Sequence, residues 1–130
     1  MPNPARQGAL GGPVPQRILV VDDEELLRDL LCDLLEDNGF DVVKAENGEV
    51  ALGRFFDLGP FDLVITDLMM PKMSGSQLIQ KIREKDSSCA ILVVSAFYEA
   101  SVNALDLGAN KILEKPYEEL ELIDAVKSLF

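Results

Sequence analysis

Apolar residues along this chain gather in five short runs, at 18–21, 42–45, 63–66, 90–94 and 111–113, and the intervening segments carry apolar residues at three- and four-residue steps. Strand-length runs that alternate with helix-period segments form the rhythm of βαβ units, whose strands pair in parallel. The runs at 63–66 and 90–94 are apolar at successive positions, as strands covered by helices on both sides should be. Right-handed crossovers then predict an α/β fold: an open, doubly wound, five-stranded parallel sheet with helices on both faces.

Leu27, Leu30, Leu31, Leu34 and Leu35 supply the inward face of a first helix, with acidic residues in its first turn and Asn38-Gly39 as its stop. Asn47 can cap a second helix carrying Val50, Ala51, Leu52, Phe55 and Phe56, which Gly59-Pro60 ends. A third spans roughly 76–85 with Leu78, Ile79 and Ile82 inward. The segment after Ser95 is the weakest helix, with only Val102, Ala104, Leu105 and Leu107 to bury before Gly108, so it is the expected mobile element. Leu120, Ile123, Ala125, Val126 and Leu129 give the last helix its apolar stripe, and Glu118 and Glu119 favour its positive end.

Residues 1–16 are rich in Pro and Gly and lack the charged start and apolar run of a secretion signal. A disordered tail at 1–16 and one domain at 17–130 are expected, since 130 residues at 48% hydrophobic content sustain one real core and not two. No stretch approaches the roughly 20 apolar residues of a membrane span, so a membrane role is not expected. The formal charge of -11 and the scattering of 12 basic residues speak against direct nucleic-acid binding by this domain, because phosphate contacts need clustered Lys and Arg. Cys32 and Cys89 lack metal-ligand spacing and no histidine is present, so both are expected as reduced thiols in a cytoplasmic protein.

In open α/β sheets ligands sit beyond the carboxyl ends of the strands. The first run ends in Asp22-Asp23, the third in Asp67, the fourth in Ser95 and the fifth, after Glu114, in Lys115-Pro116. Taken singly, each has a plain structural explanation: a helix cap, a turn opener or a surface lysine. Taken together they place three carboxylates, a hydroxyl and an ammonium around one crevice. Three facing carboxylates repel unless a cation is shared. Magnesium suits best, because it prefers oxygen ligands and bridges a few carboxylates to a phosphoryl oxygen. Lys115 and Ser95 are then the positive charge and hydroxyl donor that phosphoryl transfer exploits.

The stretches at 18–24 (ILVVDDE), 65–75 (ITDLMMPKMSG), 92–96 (LVVSA) and 113–116 (LEKP) resemble the signatures of response-regulator receiver domains, in the family's order and at compatible spacing. The resemblance runs from about Arg17 to Phe130. It implies a flavodoxin-like strand order 2-1-3-4-5 and a phosphoacceptor switch of a two-component system. Asp67 is then the phosphoacceptor, and Asp23 a direct Mg2+ ligand with Asp22 acting through a water. The backbone carbonyl of Met69 completes the protein's share of the metal shell. Ser95 swings to the phosphoryl group, Lys115 pairs with it, the Lys115-Pro116 bond is cis, and Pro71 and Gly75 shape the loop. The implied donor is a sensor histidine kinase or a phosphotransfer protein, and a phosphorylation-dependent homodimer is compatible with the family. The output partner and whether an effector domain follows are not encoded in any motif. The family often has Tyr or Phe three positions before the lysine, a ring that turns inward on activation; here it is Ile112, and Phe97 and Tyr98 are the candidates to replace it. Met69 and Phe97 border the approach of a hydrolytic water and are expected to slow loss of the phosphoryl group.

Three other readings compete. A magnesium-dependent phosphohydrolase with an aspartate nucleophile shares the acyl-phosphate chemistry, but such enzymes resemble a different pattern, with the nucleophile on the first strand and a second acid two residues later. A flavin-binding module wants Ser, Thr and Gly donors after the first strand, where Asp22-Asp23-Glu24-Glu25 would repel a phosphate. A degenerate receiver serving as a binding platform would normally have an incomplete acid pocket. The expected protein is therefore not an enzyme beyond catalysing its own phosphorylation and dephosphorylation. Deleting residues 1–16 should leave phosphorylation unchanged, and a large loss of activity or of Tm in the truncated chain would show that the tail belongs to the fold.

Overall fold

The computed structural model describes residues 16–96 and 98–130, with the side chains of 98–102 outside the description. Five strands, β1 (Arg17–Val21), β2 (Asp41–Ala45), β3 (Leu63–Thr66), β4 (Ala90–Ser95) and β5 (Lys111–Glu114), alternate with five helices. These are α1 (Glu25–Asp37), α2 (Gly48–Leu58), α3 (Gly75–Lys85), α4 (Tyr98–Leu107) and α5 (Glu119–Ser128). All pairings are parallel and the spatial order is β2-β1-β3-β4-β5, as the receiver resemblance implies. Ile18 stands opposite both Val42 and Leu63, Leu63 opposite Ala90, and Leu92 opposite Lys111. β3 is buried at every position and β4 at all but its first, which explains their unbroken apolar runs.

Strand alternation sorts the core into two layers. Leu19, Val21, Val64, Ile91 and Val93 face α2, α3 and α4 through Ala51, Phe55, Leu78, Ile79, Ile82 and Ala104. Ile18, Val20, Leu63, Ile65, Leu92 and Val94 face α1 and α5 through Leu31, Cys32, Leu35, Leu122, Ile123 and Val126. The helix stripes read from sequence are corrected on four helices. On α1, Leu27 and Leu30 are exposed (Leu30 at 58%) while Cys32 is buried, because a flat sheet covers only a narrow arc of a helix. On α5, Leu120 is 69% exposed and Leu122 takes its inward place. On α2, Phe56 is exposed and Phe55 alone of the two rings enters the core; on α4, Leu105 is likewise exposed. Val102 lies among the side chains outside the description.

The helix ends follow local chemistry. Asn47 accepts a hydrogen bond from the Val50 N–H at 2.9 Å and opens α2. Gly39, at φ +88, closes α1: its N–H reaches Glu36 O and the next N–H, of Phe40, reaches Leu35 O. Ser74 and Gln77 cap α3 reciprocally, so that helix begins at Gly75.

Residues 1–15 of the expected tail lie outside the described residues. Gln16, assigned to the tail from sequence, has its carbonyl bonded to the Asp41 N–H, so the ordered sheet edge starts one residue before 17. At this end Arg17 gathers the neighbouring chain segments. Its guanidinium pairs with Asp41 at 3.2 Å, donates to the carbonyls of Leu58 and Pro60, and lies 4.6 Å over the Phe61 ring.

Both thiols are buried and unbridged. Burial pushes the Cys32 thiol up to about 11 and that of Cys89 up to about 12. A raised folded value means that the protonated thiols' contribution to stability is complete below the unfolded pKa of about 8.5 and is lost as pH climbs through the folded values. At pH 8 a thiol reagent should therefore label neither cysteine in the folded protein and both after denaturation. Rapid labelling of native protein would contradict this packing.

Candidate functional site

Each sequence-expected residue stands where a strand reaches the carboxyl edge of the sheet. The ladder itself continues into the site: the Asp22 N–H donates to Ala45 O, the Asp67 N–H to Val21 O, and the Lys115 N–H to Ser95 O. Backbone pairing therefore places Asp22, Asp67, Ser95 and Lys115 within one row of neighbouring strands, although they are far apart in sequence.

Asp22 is buried, and its Oδ1 accepts from the Glu24 N–H at 3.0 Å, forming the turn into α1. Arg28, one turn into that helix, donates to the Asp22 carbonyl at 2.8 Å. The simple explanation of the acidic pair as a helix cap does not hold, since the N-cap residue is Glu24 and its side chain makes no capping bond. Asp23 is exposed beside it.

Asp67 is held through both carboxylate oxygens. Oδ1 accepts from the N–H groups of Leu68 at 2.6 Å and Met69 at 3.2 Å, and Oδ2 accepts from Lys115 Nζ at 2.9 Å. The Thr66 hydroxyl donates to the Asp67 carbonyl at 2.8 Å. The following loop packs without slack: the Gly75 N–H donates to Leu68 O, and a Cβ on Gly75 would lie 2.1 Å from Asp67 O. Gly48 makes a second tight seat, where a Cβ would lie 2.5 Å from Met73 O. Pro71 lends its carbonyl to the Met73 N–H, and Lys72 between them takes the left-handed conformation at φ 67.

Lys115 joins the pieces. Its ammonium lies 2.9 Å from Asp67 and 3.6 Å from Asp22, with all three side chains at least four-fifths buried. Burial opposes its charge, but the hydrogen bond to Asp67 and the fields of Asp67 and Asp22 outweigh that, so its pKa lies above the ordinary lysine value. The Lys115-Pro116 bond is cis. Ser95 is fully buried at the last position of β4.

Asp22 and Asp23 follow β1 and Asp67 follows its neighbour β3, at the carboxyl ends of both strands. Among the described residues no three Asp, Glu, Cys or His side chains converge as a group that could hold a metal ion. The ammonium between Asp22 and Asp67 relieves their repulsion, and Asp23, next in the chain to Asp22, is exposed. The donor chemistry still suits magnesium, which takes one or two protein carboxylates and keeps several waters. Ile112 is half-buried and packs against the core layer of α2, α3 and α4. Phe97 and the Tyr98 side chain lie outside the described residues, whereas Met69 is 61% exposed.

Sequence reading missed five supporting residues. Ser74 with Gln77 carries a readable S-x-x-Q capping signature. Thr66, Arg28 and Gly48 carry no local signal, because each acts on a backbone atom whose position the tertiary fold decides.

Comparison with known proteins agrees with this geometry. The family model described as the response regulator receiver domain matches residues 18–127. The chemotaxis protein CheY of Bacillus subtilis is 35% identical over 113 residues, covering 85% of this chain and 93% of that protein. The sensory transduction protein RegX3 of Mycobacterium tuberculosis is 37% identical over 113 residues, 86% of this chain but only 49% of its own length. The chain thus spans nearly all of one relative and about half of the other. The crystal structure of response regulator protein TrrA from Thermotoga maritima, in complex with Mg(2+)-BeF, superposes with a TM-score of 0.82 at 38% identity, covering 88% of this chain and 99% of that one. With its five-stranded order and matched sequence, the chain belongs to the response regulator receiver domain family.

Proposed function

We propose that this receiver domain works as a phosphoacceptor switch in which Asp67 takes a phosphoryl group from a histidine kinase or phosphotransfer protein. The observation that carries the reading is the Lys115 ammonium placed between the carboxylates of Asp67 and Asp22. An Asp67 oxygen attacks phosphorus, the P–N bond to the donor imidazole breaks, and an acyl phosphate forms. The backbone N–H groups of Leu68 and Met69 fix the orientation of the acceptor carboxylate before the donor arrives. Lys115, kept charged by its neighbours, pairs with the phosphoryl oxygens, and the Ser95 hydroxyl supplies a further donor.

Asp22, Asp23 and Asp67 with the Met69 carbonyl are the hard oxygen donors that would hold Mg2+. That ion supplies neutralisation of the incoming phosphoryl charge. The TrrA structure holding Mg(2+)-BeF supports the same metal here. The added charge, roughly -1.5 to -2 at neutral pH, draws on Ser95 and Lys115 and is read on the face of α4, β5 and α5. Catalysis is confined to the domain's own phosphorylation and dephosphorylation. A homodimer formed on phosphorylation is one route to output. No described helix is long and apolar enough to cross a membrane, and a cytoplasmic location suits a kinase partner.

Treatment with a small acyl phosphate and Mg2+ should add one phosphoryl group, seen by mass spectrometry, and Asp67→Asn should abolish it. An undiminished signal in that variant would remove Asp67 from its role. Asp23→Ala should weaken Mg2+ binding by calorimetry on the order of tenfold or more, whereas Glu118→Ala should leave it unchanged. Gly75→Ala forces the acceptor backbone to move, so it should cost about 1–3 kcal/mol of stability and slow phosphorylation together. Retention of both would show that the loop yields freely.

A further inference from the structure

We infer that Arg83 of α3 is the pivot of the switch: it caps the C-terminal end of α4 from outside and fixes that end while the rest of the helix responds to Asp67. This deepens the switch reading of the same site and rests on it. The last turn of α4 holds no basic residue to meet its carbonyl end. The helix closes with the Gly108 N–H on Leu105 O and the Ala109 N–H on Ala104 O, Gly108 standing at φ +120. The Gly108 carbonyl, the next acceptor at this end, receives Arg83 Nε at 3.0 Å and Nη2 at 2.8 Å.

Two further bonds tie the same guanidinium to its surroundings. Nη2 also donates to Asn110 Oδ1 at 3.0 Å, and Nη1 to Asp86 O at 3.2 Å. Asn110 Oδ1 in turn accepts from the Ile91 N–H at 2.8 Å, and the Asn110 N–H donates to Ile91 O at 2.8 Å. One planar cation therefore links α3, the end of α4 and the start of β4. The approach is close enough to require glycine, since a Cβ on Gly108 would lie 2.7 Å from Arg83 Cγ. A fork of this kind is matched by no other cation, because lysine is a point charge.

The described part of α4 buries little side-chain surface. Among its described side chains Ala104 is buried, Leu107 is half-buried, and Asn103, Leu105 and Asp106 are exposed. A helix clamped by polar bonds at its C-terminal end, with Ala104 the one fully buried side chain among residues 103–107, swings about that clamp. Its amino-terminal end follows shortly after Ser95 in the chain, where the phosphoryl charge acts, and the clamp stands at the opposite edge of the sheet.

Hydrogen exchange of residues 98–115, with and without Mg2+ and beryllofluoride as the phosphoryl mimic, tests the assignment on the full chain. In the wild type the mimic should change exchange at 98–103 and leave 107–110 protected in both states. Arg83→Gln should raise exchange at 107–110 by roughly tenfold in both states and reduce the mimic-induced change at 98–103 to less than half. Phosphorylation of Asp67 should stay within about twofold, since Arg83 touches no reacting group. Arg83→Lys, which keeps the charge and loses the fork, should fall between and guards against a variant that fails to fold. A full mimic response in both variants with 107–110 still protected would overturn the pivot alone. Absence of any response in the wild type would overturn the switch reading on which it rests.

Discussion

The site depends on one ammonium. Asp22 and Asp67 are delivered to the same edge by adjacent parallel strands, and two largely buried carboxylates that reach one ammonium would repel without it. Lys115 arrives from the far strand and bonds to one while pairing with the other. Losing it would leave buried charge uncompensated, a change that costs on the order of 3–5 kcal/mol in comparable pairs. The same arrangement stores the means of response. An ammonium already shared between two carboxylates has only to shift its allegiance when a more highly charged group appears beside it.

The other edge of the sheet is tied by arginines. Arg17 joins β1 to β2 and to the turn before β3, with its guanidinium lying over the Phe61 ring. Arg83 joins α3 to the α4–β5 turn. Guanidinium groups suit this edge because the exposed acceptors there are backbone carbonyls at turns, which a planar fork can bridge in pairs. The fold is thus held rigid between a clamped amino edge and two packed layers, and the chemistry is left to the carboxyl edge, where loops can move.

Local chemistry made much of this legible beforehand. Asn47, Gly39 and Gly59 mark helix ends because caps and stops depend on a few adjacent residues. The near-continuous apolar runs of β3 and β4, buried everywhere except at Ala90, declare a parallel sheet because strands covered on both faces are apolar at successive positions. The polar residues at the run ends identify the site for a similar reason: parallel strands bring all their carboxyl ends to one edge, whatever their order.

Tertiary structure alone decided the rest. Six leucines lie between residues 26 and 35, and periodicity could not tell which of them meet the sheet; the docking angle of α1 buries Leu31 and Leu35 with Cys32 and leaves Leu26, Leu27 and Leu30 outside. The sequence by itself put Asp22, Asp23, Asp67, Ser95 and Lys115 at or just after the carboxyl ends of strands. It did not determine that Lys115 bridges two of the carboxylates while Asp23 remains exposed. Helix period, caps and strand burial are set by neighbours along the chain, whereas an ion pair across 48 residues depends on strand order and register, which arise only when the whole sheet closes its core.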